Sequence, residues 1–297
     1  MFLGRSLFWR MNRMLLLLSI SFLAACSGVY FVPDRNLVRT PADVGLEYRE
    51  WSVVTEDGVV LDGWFLPGLE PVKGTVLFLH GNAQNISYHL ASVAWLPRRH
   101  FNIFLYDYRG FGKSGGRSDV YNAVADVEAV IDKVAESLGS ANQNIIIFGQ
   151  SLGAAIAIAA VARHRGNAVI CGLVADSAFS GFREIGREKL AELTLIRPAA
   201  GLLSRLLPSQ PNLLEDIAAV SPIPVLLIHG EKDRIVPPEH SKTLFAAARE
   251  PKALWIEPEV GHIMALSHAS LRDRLLRFLE EALSDCGATA IRGRTGQ

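Results

Sequence analysis

Asn144–Gly153, NIIIFGQSLG, is the stretch that decides how this chain folds. Ile145, Ile146, Ile147 and Phe148 form an unbroken β-branched and aromatic run. That is the pattern of an inner strand of a parallel sheet covered on both faces. Gly149-Gln150-Ser151-Leu152-Gly153 then makes a G-x-S-x-G elbow. From Leu152 the sequence turns to Ala and Ile, which suits a small-residue helix lying close to a sheet. A serine on such a strand-to-helix turn has its hydroxyl pushed out above the sheet, and the flanking glycines leave room for the sharp backbone. At average Gly and Ser usage the motif arises by chance in about one chain in ten of this length. Its surroundings therefore have to carry the reading.

Outward from the elbow, strands and helices alternate. Leu46–Thr55 alternates, Glu56-Asp57-Gly58 turns, and Val59–Leu66 alternates back, which predicts an antiparallel hairpin. Thr75–Leu79 and Asn102–Tyr106 are apolar strands that end in His80-Gly81-Asn82 and Asp107-Tyr108-Arg109-Gly110. Ser87–Arg98 is expected as a helix, Asp119–Leu138 as a long amphipathic one, and the elbow helix runs to about His164. Further strands are expected at Ala168–Ala175, Pro222–His229 and Ala253–Glu257, with helices at Pro238–Ala248 and Ala265–Leu283. The fold class is therefore α/β, a mostly parallel central sheet with helices on both faces. Between Ser177 and Ser221 the alternation lapses. Residues 177–221 read as a small lid or pocket wall, with helical pieces at Phe182–Leu193 and Pro198–Leu207. They fall where ligands bind in open α/β sheets. Ordinary burial preference puts their leucines in the core rather than on a lipid-seeking surface.

A serine hydroxyl is a poor nucleophile until a base takes its proton, a carboxylate holds the base, and donors meet the oxyanion. Candidates follow Ser151 in the order carboxylate, then histidine. Asp233 lies in HGEKDRIVP after one late strand, and His262 follows Gly261 after the last. With HGNAQN, YDYRGFGKSGG, GQSLGAA, HGEKDRIVP and GH in order, the chain resembles the α/β-hydrolase superfamily of serine hydrolases from about Leu46 to Leu283. It is most similar to the branch of membrane-associated protein depalmitoylases and uncharacterised bacterial lipoprotein hydrolases. The resemblance implies Ser151 as nucleophile, His262 as base and then acid, and Asp233 as its orienter. It also implies an oxyanion hole from the N–H groups of Leu152 and Asn82, with the Asn82 side chain within reach of substrate. Ala154 stands where many relatives have a second glycine. No metal or organic cofactor is implied.

Asp176, at the end of the strand before the lid, also satisfies the order; placement favours Asp233. His229 and His80 end strands and read as structural, while His240 and His268 fall on helices, where exposure is expected. Asp107 and Arg109 read as loop-fixing groups. Gly112-Lys113-Ser114 imitates a phosphate loop, but Asp107 stands where that loop needs glycine, and Gly115-Gly116 follow. Nucleotide binding is not expected.

The chain has 297 residues, half of them apolar, and a formal net charge of zero. No basic run marks the body of the chain, so nucleic acid is not expected as a partner. Cys26, Cys171 and Cys286 have no metal spacing. Cys171 reads as a small core residue; a bridge to Cys286 is disfavoured because one end should lie deep in the sheet. Residues 1–25 read as a lipoprotein signal peptide. Arg5, Arg10 and Arg13 precede an apolar run, Met14–Ala25, that is short for a membrane span of about 20 residues. Leu23-Ala24-Ala25-Cys26 resembles the lipobox of bacterial lipoproteins, which implies cleavage before Cys26, lipid on its thiol, and anchoring in the cell envelope. An uncleaved signal anchor is the alternative. Residues 26–44 then read as a tether, 45–283 as the hydrolase domain and 284–297 as a flexible tail. The expected function is a serine hydrolase that cleaves a carboxylic ester or thioester of a small-molecule or acylated substrate at that envelope. An aminopeptidase or amidase of the same fold, and a non-catalytic envelope-binding scaffold, are the alternatives.

Overall fold

The computed structural model describes residues 30–139, 144–164, 166 and 169–294, the side chains only as far as 286. The expected signal peptide, residues 1–25, and Cys26 lie outside the described residues. The strands are β1 (Arg49–Val54), β2 (Val60–Leu66), β3 (Gly74–Leu79), β4 (Phe101–Tyr106), β5 (Asn144–Gln150), β6 (Val169–Asp176), β7 (Val225–Gly230) and β8 (Lys252–Glu257). The α-helices are α1 (Ile86–His89), α2 (Val120–Leu138), α3 (Leu152–Arg163), α4 (Phe182–Glu192), α5 (Ala200–Leu203), α6 (Leu213–Val220), α7 (Glu239–Ala247) and α8 (Ala269–Arg294).

Among the described residues the strands form one eight-stranded sheet in the order β1-β2-β4-β3-β5-β6-β7-β8. The hairpin pairs antiparallel, and β2 joins β4 antiparallel. From β4 through β8 every pairing is parallel. Strand β5 shows why its run is apolar throughout. Ile145 and Ile147 point into one buried cluster, with α2, α3 and α6. Ile146 and Phe148 point into the other, under α8 and the 86–96 segment. Burying each such side chain contributes roughly 1.5–3 kcal/mol. Helix α3 is buried from Leu152 to Ala162 because the sheet, α2 and α6 enclose it, and only Ala, Gly and aliphatic residues fit.

Register sets the site. Leu79 lies opposite Gly149, Gln150 opposite Asp176, and Gly230 opposite Glu257. The segments that follow β3, β5, β6, β7 and β8 therefore emerge along one edge.

Several expectations need correction. The Ser87–Arg98 helix is only α1 and two 3-10 turns, Leu90–Ser92 and Pro97–Arg99. Val93, at φ −125°, ends the first of these turns. The second half of the lid is a single helical turn, α5, between 3-10 turns. Helix α6 was not expected within 177–221; it packs on α3 as a crossover helix and closes the cluster around Leu213 and Ile217. The tether is docked where it is described, with Tyr30 and Phe31 buried. Helix α8 runs through the expected tail, and Cys286 on it is bonded to Cys171. The helix crosses the face of β6 so that the two Cα atoms are 5.4 Å apart, within disulfide range.

Candidate active site

Ser151 sits at φ 53°, ψ −114°, in the left-handed half of backbone space, between the last residue of β5 and the first of α3. Its N–H donates to Asp176 O at 2.8 Å, which holds the turn against β6. The close approach explains the glycines. A Cβ on Gly149 would lie 2.4 Å from Gly153 O, and one on Gly153 would lie 2.2 Å from Leu79 O.

His262 joins the two other candidates. Its Nε2 is 2.9 Å from Ser151 Oγ and its Nδ1 is 2.6 Å from Asp233 Oδ2. Asp233 Oδ1 accepts the N–H groups of Ile235 (2.8 Å) and Val236 (2.9 Å). Burial pushes the Asp233 pKa up, but hydrogen bonds from His229, His262 and Val236 outweigh it and hold the carboxyl well below the usual range. An ionised Asp233 accepts only, so His262 carries its proton on Nδ1 and turns the Nε2 lone pair to the Ser151 hydroxyl. His229 is buried below, with Nε2 at 2.8 Å from Val236 O and 3.2 Å from Asp233 Oδ2, while Ser241 Oγ lies 2.6 Å from Nδ1. It braces the aspartate, in keeping with its structural reading.

Asp176 does not reach His262 directly. Its Oδ2 accepts from Gln150 Nε2 at 2.9 Å and its Oδ1 from Ser177 Oγ at 3.1 Å. Ser177 Oγ in turn accepts the Ile263 N–H at 3.1 Å, so Asp176 acts on the backbone beside His262. Burial raises its pKa.

Asn82, Ser151 and Leu152 line one cavity of about 230 Å³ with Tyr30, Phe179 and Ile185. Among the described residues the N–H groups of Asn82 and Leu152 have no protein acceptor, and Leu152 opens α3, where the helix dipole favours negative charge. The Asn82 side-chain oxygen is taken up by backbone donors. Oδ1 accepts from Val32 N (2.9 Å) and Ala83 N (2.7 Å). Val32 belongs to a strap. Asn85 Nδ2 donates to Asp34 O and Asn36 O, Ser87 Oγ accepts the Val38 N–H, and Asp34 N–H reaches Gln84 O. The strap clamps Ala83 and Gln84, both at positive φ (65° and 64°), a conformation that costs on the order of 1–3 kcal/mol each. Tyr30 and the strap escaped the sequence reading; the aromatic pair Tyr30-Phe31 in an otherwise polar tether was the signal available.

The remaining candidates are structural. His80 is fully buried, with Nδ1 at 2.8 Å from Gly81 O and Nε2 at 3.4 Å from Asp107. Burial depresses the imidazole well below its ordinary pKa and raises Asp107 to about 7. Arg109 grips Asp126 on α2 through two bonds of 2.7 Å and Asp57 in the hairpin turn through two more. Lys113 pairs with Glu50, and Ser114 Oγ donates to Asp107 O, so the phosphate-loop imitation is a turn brace. His240 is buried, not exposed. Its Nδ1 faces the N–H and Oγ of Ser180, and its Nε2 is 3.1 Å from Glu188 on α4. His89, not singled out from sequence, is also buried, packed against the His80 ring beneath Gly81. Among the described residues no cluster of His, Cys, Asp and Glu could hold a metal ion.

Residues 70–212 match the family described as serine aminopeptidase, S33. The chain is 36% identical to the protein YfhR of Salmonella typhi over 86% of this chain and 89% of that one. It is 30% identical to the alpha/beta hydrolase domain-containing protein WAV2 of Arabidopsis thaliana, over 73% of each chain. An esterase from Pyrococcus furiosus has the same fold, at a TM-score of 0.68 and 22% identity, over 86% of this chain and 98% of that one. The chain belongs to the α/β-hydrolase superfamily.

Proposed function

We propose that this protein is a serine hydrolase that cleaves a carboxylic ester or thioester through an acyl-enzyme on Ser151, at the bacterial envelope. The observation that carries the reading is the unbroken line Asp233–His262–Ser151, 2.6 and 2.9 Å per link, at the mouth of an apolar cavity. Ser151 Oγ attacks the acyl carbon as its proton passes to His262 Nε2, and Asp233 steadies the imidazolium. The carbonyl oxygen becomes an oxyanion between the N–H groups of Leu152 and Asn82. The tetrahedral species collapses, and His262 Nε2 gives its proton to the leaving alcohol or thiol. Water then attacks the acyl-enzyme, its proton passes to His262, and the carboxylic acid departs as Ser151 Oγ recovers a proton.

The cavity lining contains no carboxylate, and Lys189 stands at its wall. Lys189 is paired with Glu192 at 2.6 Å, so the lining as a whole favours neutral acyl groups. An aminopeptidase reading has the matched family's description behind it, but a free amino terminus calls for an acid the lining lacks.

A lipid on Cys26 supplies the address. The Cys171–Cys286 disulfide supports it, since such bonds persist in oxidising compartments. Among the described residues no helix is long and apolar enough to cross a membrane. A fluorophosphonate probe is expected to label the protein and not Ser151→Ala, whose kcat on esters falls on the order of 10⁴–10⁶. Labelling that survives the substitution rejects Ser151 as nucleophile, and turnover of aminoacyl amides in preference to esters rejects the ester reading.

A further inference from the structure

The lid carries a surface that the chemistry does not use. Leu190 and Leu207 pack on the core as expected, but Leu193, Leu195, Leu202 and Leu206 are exposed, Leu195 by 96%. The lid between α4 and α6 folds back as short turns, too thin to bury two sides. Arg187, Arg197 and Arg205 are exposed among these leucines, and among the described residues none of the three makes an ion pair. The acids of α4 are partly engaged, Glu188 by His240 and Glu192 by Lys189. Glu184 is exposed as well, so the outward surface of the lid is apolar with basic groups in excess over acidic ones. Ile235 and Met264, also exposed, continue the apolar rim from the loops that carry Asp233 and His262.

Leucines set among unpaired arginines match a bilayer interface, with aliphatic groups in the acyl boundary and guanidinium groups on lipid phosphate. The chain's own path points to the same occupant. Tyr30 hydroxyl donates to Phe182 O at 2.7 Å, and its ring meets Phe182 edge-on, at the first residue of α4. Cys26 is four residues earlier, and four residues span at most about 14 Å. A lipid on Cys26 would therefore hold the membrane within about 14 Å of this end of the lid.

We propose that the Leu193–Leu206 face of the lid docks on an anionic bilayer surface. The cavity over Ser151 then opens at the lipid–water interface, and the ester or thioester it takes is one held in that interface. The proposal rests on the reading of Cys26 as a lipid anchor and of Ser151 as the nucleophile.

The test uses the full chain as extracted from the membrane, returned to phosphatidylethanolamine vesicles with phosphatidylglycerol as the minor lipid and brominated acyl chains. Leu195→Trp is compared with Leu69→Trp, an exposed position between β2 and β3 at the opposite edge of the sheet. Bromolipid quenching is expected to be at least about twofold greater for Leu195→Trp. It should fall as salt rises from about 0.1 to about 1 M, which shortens the screening length from about 10 to about 3 Å. Adding Arg197→Glu and Arg205→Glu should remove the excess. Equal quenching at the two positions overturns the proposal. So does a dimer by light scattering that Leu193→Ser with Leu195→Ser returns to monomer, which assigns the face to a second copy. Intact mass of the same sample reads the anchor separately. Lipidated Cys26 with equal quenching overturns lid docking and leaves the anchor standing; excess quenching on a chain without lipid supports docking and overturns the anchor. Fluorophosphonate labelling is expected to be unchanged in both tryptophan variants; its loss from wild type itself rejects Ser151 instead of the docking face.

Discussion

Asp233→Asn changes one atom and should disarm the site through a proton rather than a shape. In the native protein Oδ1 accepts two backbone N–H groups and Oδ2 faces His262 Nδ1. An asparagine has to choose which position its carbonyl oxygen takes. Keeping both backbone bonds turns the amide NH₂ toward His262. Nδ1 must then accept, Nε2 carries the proton, and no lone pair is left for the Ser151 hydroxyl. The productive tautomer needs the amide flipped, which leaves two backbone donors facing an NH₂. At about 1–3 kcal/mol for each unsatisfied group the flip costs roughly 2–6 kcal/mol. With a decade of rate per 1.36 kcal/mol, kcat is expected to drop on the order of 10²–10⁴, and the upper end equals the cost of the same change in a well-studied serine protease. The assay is steady-state hydrolysis of a short-chain p-nitrophenyl ester, with circular dichroism to show that both proteins are folded. Asp176→Asn is the matched control, because Asp176 contacts Gln150 and Ser177 but not His262; its kcat should stay within about tenfold. A kcat for Asp233→Asn within tenfold of wild type refutes the reasoning, and a collapse in Asp176→Asn instead assigns the acid there.

The His80–Asp107 pair gives a pH prediction. Between pH 4 and 6.5 the unfolded pair holds one proton on histidine, whereas the folded pair holds one on Asp107, raised to about 7, so the pair gives stability no slope there. In Asp107→Asn the unfolded chain binds a proton below pH 6.5 that buried His80 refuses; relative to wild type, the variant should lose about 1.4 kcal/mol per pH unit on acidification and gain stability near pH 8. Urea midpoints across pH check this, and parallel curves for the two proteins count against it. Arg109→Ala strands buried Asp126 and should cost about 3–5 kcal/mol in the same urea assay; a loss below about 1 kcal/mol would show that the Asp126 charge is solvated. His240→Ala removes the bonds to Ser180 and Glu188 that tie α4 to α7. Amide exchange in 182–192 should speed up roughly thirtyfold, from about 1 kcal/mol for each of the two hydrogen bonds, with α3 unchanged; equal rates in both proteins would mean that the latch carries no load.

The elbow was readable because its constraints are local: a strand apolar on both faces, a sharp turn and glycines where other backbone comes within 3 Å. Asp233 and His262 were readable because each directly follows a buried parallel strand, and parallel register lines up strand ends. The misread residues depend on contacts that no local pattern reports. Tyr30 and Phe31 are buried by partners more than seventy residues away in sequence, such as Phe182 and Tyr108. His240 lies on a helix with an exposed face, but its neighbour Ser180 comes from the lid. The lid leucines fit a core pattern, and Leu190 and Leu207 do pack on the core, yet the turns around α5 leave Leu193, Leu195, Leu202 and Leu206 outside it. Cys171 was read correctly as buried; that α8 brings Cys286 over it is a fact of helix placement.

The strap has a practical consequence for anyone who prepares this protein. Trimming a chain back to its first strand is an ordinary route to a soluble sample, and here that strand is β1 at Arg49. A cut there discards Val32, Asp34, Asn36 and Val38, and with them the bonds to Asn82, Gln84, Asn85 and Ser87. The loop that presents the Asn82 N–H is then free to leave its two left-handed residues. Such a sample would keep Ser151, His262 and Asp233 and still turn over slowly, an artefact of the cloning boundary that looks like a wrong substrate. A cut just before Tyr30 keeps the whole clamp.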